Sequence, residues 1–281
     1  MAGAPPSAEV PCTIIDARAT AALLDVRELW RYRELLLFLA WRDLRVRYRQ
    51  TLLGAGWALL EPLAGMLLFT LVFHRMAGIR AGELPYPLYC YAGLLLWTFF
   101  GRALRATTVS LVANAGLATK VYFPRLILPL AAQAACVADL LCALAMFFVL
   151  LAWYGMGASW RLATLPLWAG LAGLQALGVG LVLAAVNVRY RDVTQVVPLL
   201  TQVWMFATPV VYPLSAIPSR WLWVYTLNPL TSAVQGARWA LLPDQPFDLG
   251  ELLPSVVWGV FFLWVGLLCF RHVERRFADI V

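Results

Sequence analysis

Residues 162–188 read LATLPLWAGLAGLQALGVGLVLAAVNV, 27 positions without a charged side chain, bounded by Arg161 and Arg189. A helix needs roughly 20 apolar residues to cross the hydrocarbon core of a bilayer. A second uncharged run of 27 residues, Val193 to Ser219, follows almost at once. Working outward from this pair, six apolar stretches can be marked: Trp57–Phe73, Leu84–Phe100, Leu126–Trp153, Leu162–Asn187, Val193–Tyr212 and Leu252–Phe270. In lipid each backbone polar group must be satisfied within its own segment, so the pattern predicts an all-α integral membrane protein. The whole chain agrees: of 281 residues 62% are apolar and 13% charged, where soluble domains hold about 45–50% and about 25%.

Six spans put both termini on one side, and the arginines say which. With the termini in the cytoplasm, the inner segments carry 17 basic residues, eight of them before residue 51. The outer segments carry 5: Arg75, Arg80, Arg161, Arg220 and Arg238. This bias follows the positive-inside rule and predicts cytoplasmic termini. The first 25 residues hold Pro5, Pro6 and Pro11 and lack the apolar core of a cleavable signal peptide.

Of the 22 basic residues only Lys120 is a lysine, and it follows Thr119 rather than a glycine. A phosphate loop needs Gly-Lys-Ser/Thr after a glycine run, because the lysine reaches the terminal phosphates. ATP hydrolysis by that route is excluded, so no cofactor is expected in this chain, and nucleotide energy would come from a separate subunit. Five cysteines without metal-site spacing read as buried hydrophobes. With only His74 and His272 present, a histidine-based metal site is disfavoured.

Residues 27–49 are rich in both arginine and leucine, and too often interrupted by charge to span. At 100° per residue, Trp30, Leu37, Trp41, Leu44 and Tyr48 fall within about 60° of arc, and Arg27, Arg31, Arg42, Arg45 and Arg49 within another arc of about 60°. Such a helix lies in the membrane surface, arginines among anionic headgroups and tryptophans in the acyl boundary. Packing on a soluble partner fits the same pattern. Between the fifth and sixth spans, Leu214 to Leu242 holds Pro218, Pro229, Trp221, Trp223 and Trp239 with only two charges. It is too apolar for a solvated loop and too interrupted to span, so it is expected to re-enter the outer face as a gate; non-helical backbone at that depth must be buried in protein or border a cavity. Without an internal repeat, an inverted-repeat transporter is disfavoured.

Five runs resemble one family, the permease subunits of ABC exporters that move lipid-linked polysaccharides such as O antigens, capsules and teichoic acids. They are LAWRDLRVRYRQTLLGAGWALLEPL (39–63), KVYFPRLILPL (120–130), NVRYRDV (187–193), TPVVYPLSAIPSRW (208–221) and NPLTSAVQGARWALL (228–242). The resemblance implies a cytoplasmic amphipathic interface helix plus six transmembrane helices, with a short re-entrant helical pair between the fifth and sixth. It further implies a bacterial inner membrane location, a second copy of the chain and two ABC ATPase subunits that hold ATP and magnesium. The expected organisation is a flexible cytoplasmic tail (1–26), the interface helix (27–50) and a transmembrane domain (51–281) with its outer gate at about 214–245.

The turn between the second and third spans docks into the ATPase in that family, which here maps onto Asn114–Pro124, with Lys120, Tyr122, Phe123 and Arg125 as protruding candidates. Arg189 and Arg191 mark a second possible contact, and the interface helix would add Arg45, Arg47 and Arg49. Arginine suits phosphate by its bidentate geometry, so Arg31, Arg42 and Arg45 are expected at the entrance for the lipid diphosphate. A hydroxyl-rich chain with apolar sugar faces calls for aromatic platforms, for which Trp97, Phe99, Phe100, Trp204, Phe206 and Tyr212 are candidates, with Pro218, Trp221, Asn228 and Pro229 at the outer gate. Glu61 is expected to pair with Arg49 or Arg189, or to face a polar lumen. Asp139, inside the third span, is either a hydrogen-bonded residue at a helix contact or part of the path; burial of an acid at that depth is costly. Arg102 and Arg105 either snorkel to the inner interface or contact the diphosphate. A drug or small-lipid exporter is the alternative within the superfamily. A membrane-embedded glycosyl- or phosphotransferase would need clustered acids or histidines, which Glu61 and Asp139, 78 positions apart, do not supply. Nothing points to nucleic acid.

Overall fold

The computed structural model describes residues 25–49, 54, 56–243, 245, 247, 250 and 252–274. Residues 1–24 of the expected tail and the basic pair Arg275 and Arg276 lie outside them. The described residues form helices α1 (Val26–Arg31), α2 (Arg33–Arg49), α3 (Gly56–Phe69), α4 (Tyr86–Ala113), α5 (Ala115–Lys120), α6 (Ile127–Trp153), α7 (Leu165–Arg189), α8 (Val193–Phe206), α9 (Ser219–Leu227), α10 (Pro229–Leu241) and α11 (Leu252–Glu274). No strand occurs among the described residues.

Four helical segments are long and apolar enough to cross a membrane: Gly56–Met76, Ile127–Trp153, Trp160–Arg189 and Leu252–Glu274. The first combines α3 with a π-helical turn, Thr70–Met76. The expected second span is α4, 28 residues with apolar side chains on every face; it is the buried centre of the bundle, packed on α6 and α7. The fifth apolar stretch ends earlier than expected. Its helix, α8, stops at Phe206 after 14 residues, about 21 Å at 1.5 Å per residue, and the chain then turns through Pro209 and Pro213.

Local chemistry explains the helix ends. Gly155 takes a left-handed φ of +67° just beyond α6. There the Gly155 amide donates to the Ala152 carbonyl and the Met156 amide to Leu151, both at 3.0 Å, the paired bonds that close a helix on glycine. Asn228 caps α10, its side-chain oxygen accepting from the Leu230 amide at 3.1 Å, with Pro229 in the first turn. Close backbone approach holds α7 against α11: a Cβ on Gly178 would lie 2.5 Å from the Leu263 nitrogen, and one on Gly266 would lie 2.4 Å from the Gly178 carbonyl. Small residues at such a crossing let two helices meet at backbone distance in a membrane, where solvent exclusion drives little of the association.

The interface helix breaks at Tyr32 into α1 and α2. Its bundle-facing stripe is Leu35, Leu36, Leu39 and Ala40, which pack with Phe123, Leu126 and Ile127. Trp30, Leu37, Phe38 and Trp41 remain exposed on the other side. Tyr48, expected on that apolar face, turns inward instead.

Candidate functional site

The charged residues that matter converge where α2, the start of α3, the last turns of α4 and the first half of α6 meet. Asp139, on α6, is 2% exposed. Its carboxylate accepts from Arg47 and the Tyr48 hydroxyl of α2 and lies 3.2 Å from Arg102 Nη1 of α4. Arg102 also donates through Nη2 to Glu61 of α3 at 2.5 Å. One guanidinium thus bridges two acids on different helices, and one acid joins α2, α4 and α6. A buried carboxylate is tolerated at this depth because it is paired and hydrogen-bonded. Burial, reinforced by the hydrogen bond to Asp139, pushes the Tyr48 phenol up to about 12.

Arg47, Tyr48, Arg102 and Asp139 border a cleft of about 780 Å³, lined also by Arg42, Arg105 and Asp43 and by Trp57, Val46, Ala106 and Val109; Glu61 lies outside this lining and meets it through Arg102. Asp139 is therefore both at a helix contact and part of an opening. Three expectations are corrected here. Glu61 pairs with Arg102, not Arg49 or Arg189. Arg47 points into the bundle towards Asp139, so it is not a free contact for a soluble partner. Arg42, expected at the lipid headgroups, is occupied by Asp43 at 2.8 Å and by Asn114 Oδ1 at 2.6 Å. Arg31 and Arg45 are exposed, Arg45 lying 5.4 Å from the Trp41 ring centre.

Lys120, at the end of α5, and Tyr122, in the turn after it, protrude, Tyr122 being 63% exposed. Phe123 does not: it is 5% exposed and anchors the turn beside Leu39 and Phe270. Its side chain is apolar enough to join the core that α2 offers, which the sequence pattern alone did not show. Arg125 is half-buried and donates to the Glu274 carbonyl at 2.5 Å. Arg189, the last residue of α7, and Arg191 just beyond it are exposed.

Trp97, Phe99 and Phe100 are buried inside one chain, with Trp97 and Phe100 ring centres 5.4 Å apart and Phe100 edge-on to Trp204 at 5.3 Å. Aromatic packing of the core corrects their expected place along a conduit. Phe206 is exposed; Trp204 and Tyr212 are half-buried. The expected gate forms two short helices, α9 and α10, hinged at Asn228. The Asn228 amide donates to the Ala207 carbonyl at 2.8 Å and its oxygen accepts from the Trp204 indole at 3.1 Å, tying the hinge to the end of α8. Pro229 is buried, while Pro218 and Trp221 are exposed on α9 and its approach.

Sequence reasoning missed Arg238. It is 1% exposed and donates to the Pro209 carbonyl at 2.7 Å, the Tyr89 hydroxyl at 2.8 Å, Gln235 at 3.0 Å and the Val210 carbonyl. It clamps the turn after α8 onto α4 and α10. The available signal was a lone arginine amid the apolar sequence of α10, costly unless satisfied. Among the described residues, no group of three His, Cys, Asp or Glu side chains could hold a metal ion.

The fold and these sites define a multi-pass helical membrane protein whose buried polar groups join one helix to another. Residues 34–242 match the description of the ABC-2 type transporter family, and the chain belongs to it. It is 31% identical over 256 residues to the O-antigen export system permease protein RfbA of Myxococcus xanthus, covering 90% of this chain and 98% of that one. A Klebsiella pneumoniae protein of the same name is 28% identical, covering 88% and 95%. The polysialic acid transport protein KpsM of Escherichia coli is 26% identical, covering 83% and 91%. The chain is thus a permease of the type-2 ABC exporter kind.

Proposed function

We propose that this chain is the transmembrane subunit of an ATP-driven exporter that moves a lipid-linked polysaccharide, of O-antigen type, from the cytoplasm across the inner membrane. The observation that carries this reading is similarity along nearly the whole length to an O-antigen export permease, 31% over 98% of that protein. The single lysine, placed outside any phosphate loop, supports a reading in which ATP and its magnesium belong to a separate ATPase, two copies of which would work with two copies of this chain.

On this reading the membrane is crossed six times, by α3 with its π-turn, α4, α6, α7, α8 and α11, with both termini in the cytoplasm. The interface helix α1–α2 lies on the inner face, and residues 214–245, with α9 and α10, form the outer gate. The burial of Trp97 and Phe100 favours a glycan path between the two copies, with Phe206, Trp204 and Tyr212 nearest to it. Lys120 and Tyr122, with Arg189 and Arg191 as a second patch, receive the ATPase's movement. Phe123 and Arg125 act behind them, fixing the turn to α2 and the end of α11 so that a push on Tyr122 reaches the bundle.

Deletion of the gene tests the substrate class. Surface glycan should disappear while its lipid-linked precursor accumulates inside; normal glycan display would overturn the proposal and leave a drug or small-lipid exporter. For coupling, the double variant Lys120→Ala, Tyr122→Ala should co-purify with the ATPase yet lose most of its glycan export; unchanged export would overturn this role.

A further inference from the structure

The cleft between α2, α3, α4 and α6 has more cations than its acids occupy. Arg47 and Arg102 share Asp139, and Arg42 takes Asp43 and Asn114. Arg105 is exposed to the cleft and makes no ion pair or hydrogen bond among the described residues. It stands three residues from Arg102 on α4, so both guanidinium groups leave the same face of the helix. The partners of Arg102 are unequal: the Asp139 side chain is 2% exposed and that of Glu61 is 59% exposed. Glu61 is the partner that a stronger anion displaces, since an exposed ion pair contributes little and phosphate fits guanidinium as a carboxylate does. The walls beside these cations, including Trp57, Val46 and Val109, are apolar. A basic floor beside an apolar wall suits an amphiphile better than a free ion.

We propose that this cleft binds the phosphate headgroup of an anionic lipid, with Arg102 and Arg105 as its ligands and Glu61 as a built-in competitor that occupies Arg102 when the cleft is empty. Binding moves Glu61 off Arg102 and so removes one tie between α3 and α4, leaving the longer bond from Arg102 to the Trp57 carbonyl at 3.5 Å, while Asp139 keeps Arg102 and Arg47 in place. The phosphate comes either from the polyprenyl diphosphate of an export substrate, which rests on the function proposed above, or from a membrane phospholipid, which does not.

The test uses the purified full-length chain in phosphatidylcholine nanodiscs, with bound lipid read by native mass spectrometry. The probes are undecaprenyl diphosphate, phosphatidylglycerol and inorganic pyrophosphate. Arg105→Gln, which breaks no contact of the fold, should weaken lipid binding about tenfold or more, the effect of one charge-assisted hydrogen bond. Arg105→Lys should fall between it and the unaltered chain. Glu61→Gln should tighten binding several-fold, whereas Glu83→Gln, which removes a carboxylate from the loop between α3 and α4, should not. Arg33→Gln, which removes an exposed cation of α2 from outside the cleft, is the matching control. Binding of the diphosphate alone identifies the substrate's carrier; displacement by phosphatidylglycerol identifies a membrane phospholipid. Equal effects of Arg105→Gln and Arg33→Gln, no response to Glu61→Gln, or competition by inorganic pyrophosphate as strong as by the lipids would each overturn the proposal. No ATPase or glycan enters the assay, so its failure is separable from failure of the export reading.

Discussion

Arg238 offers the sharpest test of what holds α4, α10 and the turn after α8 together. Its guanidinium is buried without a carboxylate among the described residues, and it meets two main-chain carbonyls, of Pro209 and Val210, and the hydroxyl of Tyr89, over whose ring its Cζ stands 3.8 Å from the centre. In Arg238→Ala both carbonyls are left without a donor in a buried site, at about 1–3 kcal/mol each, and a void opens beside Gly93, where an added Cβ would lie 2.6 Å from Arg238 Nη2. Opposing this is relief from holding an unpaired cation away from water, which costs several kcal/mol. With about 5 kcal/mol for the two carbonyls and about 2 for the void set against about 4 for that relief, the balance is a net loss of about 3 kcal/mol. Arg238→Lys keeps the charge but is shorter and lacks the planar fork that meets the two carbonyls through separate nitrogens, so it should lose about 1–2 kcal/mol. Arg238→Met fills the volume and removes the charge together with every hydrogen bond, and should fall near the alanine variant less its void. Heating the detergent-solubilised chain and measuring the surviving monodisperse peak ranks the four proteins; at about 2–4 °C per kcal/mol, the alanine variant should melt about 6–12 °C lower. The comparison of Lys with Met decides the cause. If Arg238→Met is as stable as the parent, desolvation outweighs the clamp and the reasoning fails.

Two further outcomes are expected. Gly178→Ala places a methyl group 2.5 Å from backbone atoms of Phe262 and Leu263, so α7 and α11 must part and the yield of monodisperse protein should fall sharply. Gly170→Ala, with nothing within 4 Å of its added carbon, is the control; equal yields would show that close α7–α11 approach is dispensable. The raised Tyr48 phenol, at about 12 against an ordinary value of 10.0, means that between these values the unfolded chain loses the proton first. Stability contributed by the neutral phenol is therefore fully present below pH 10 and is lost as pH rises through 12. The tyrosinate absorbance of the parent minus that of Tyr48→Phe should titrate near 12; a difference curve centred near 10 would show that the contact with Asp139 does not form.

The helical, membrane-spanning class was legible because lipid leaves the backbone no partner outside its own segment, which makes a long apolar run such as 162–188 almost unambiguous. The orientation of side chains within those runs was not. In α4 nearly every face is apolar, so periodicity does not distinguish a ring aimed at neighbours from one aimed at a path, and Trp97 and Phe100 lie in the core. The cluster at Asp139 was hidden for another reason: its partner Arg47 is 92 positions away, and nothing local to either residue marks the contact. Phe123 illustrates the converse, a motif residue whose place in a turn suggested exposure while its apolar ring belonged to the core beneath.

Burial also changes how the arginine distribution should be weighed. Counting charges treats each as a solvated group repelled from translocation, yet Arg238 is enclosed by protein, and Arg47 and Arg102 are committed to Asp139 and Glu61. Setting these three aside leaves 15 basic residues on the segments assigned to the inside and 4 on those assigned to the outside, against 17 and 5 before. The asymmetry keeps its sign and grows slightly, because the structural arginines do not supply it. The remaining inner charges are concentrated on α1–α2, the turn after α5 and the turn after α7. Those are the places where a permease driven by a soluble ATPase needs cations, both to hold the anionic leaflet and to meet a partner. On the topology proposed above, orientation and coupling would draw on the same set of cations, whereas Arg47, Arg102 and Arg238 tie helices together.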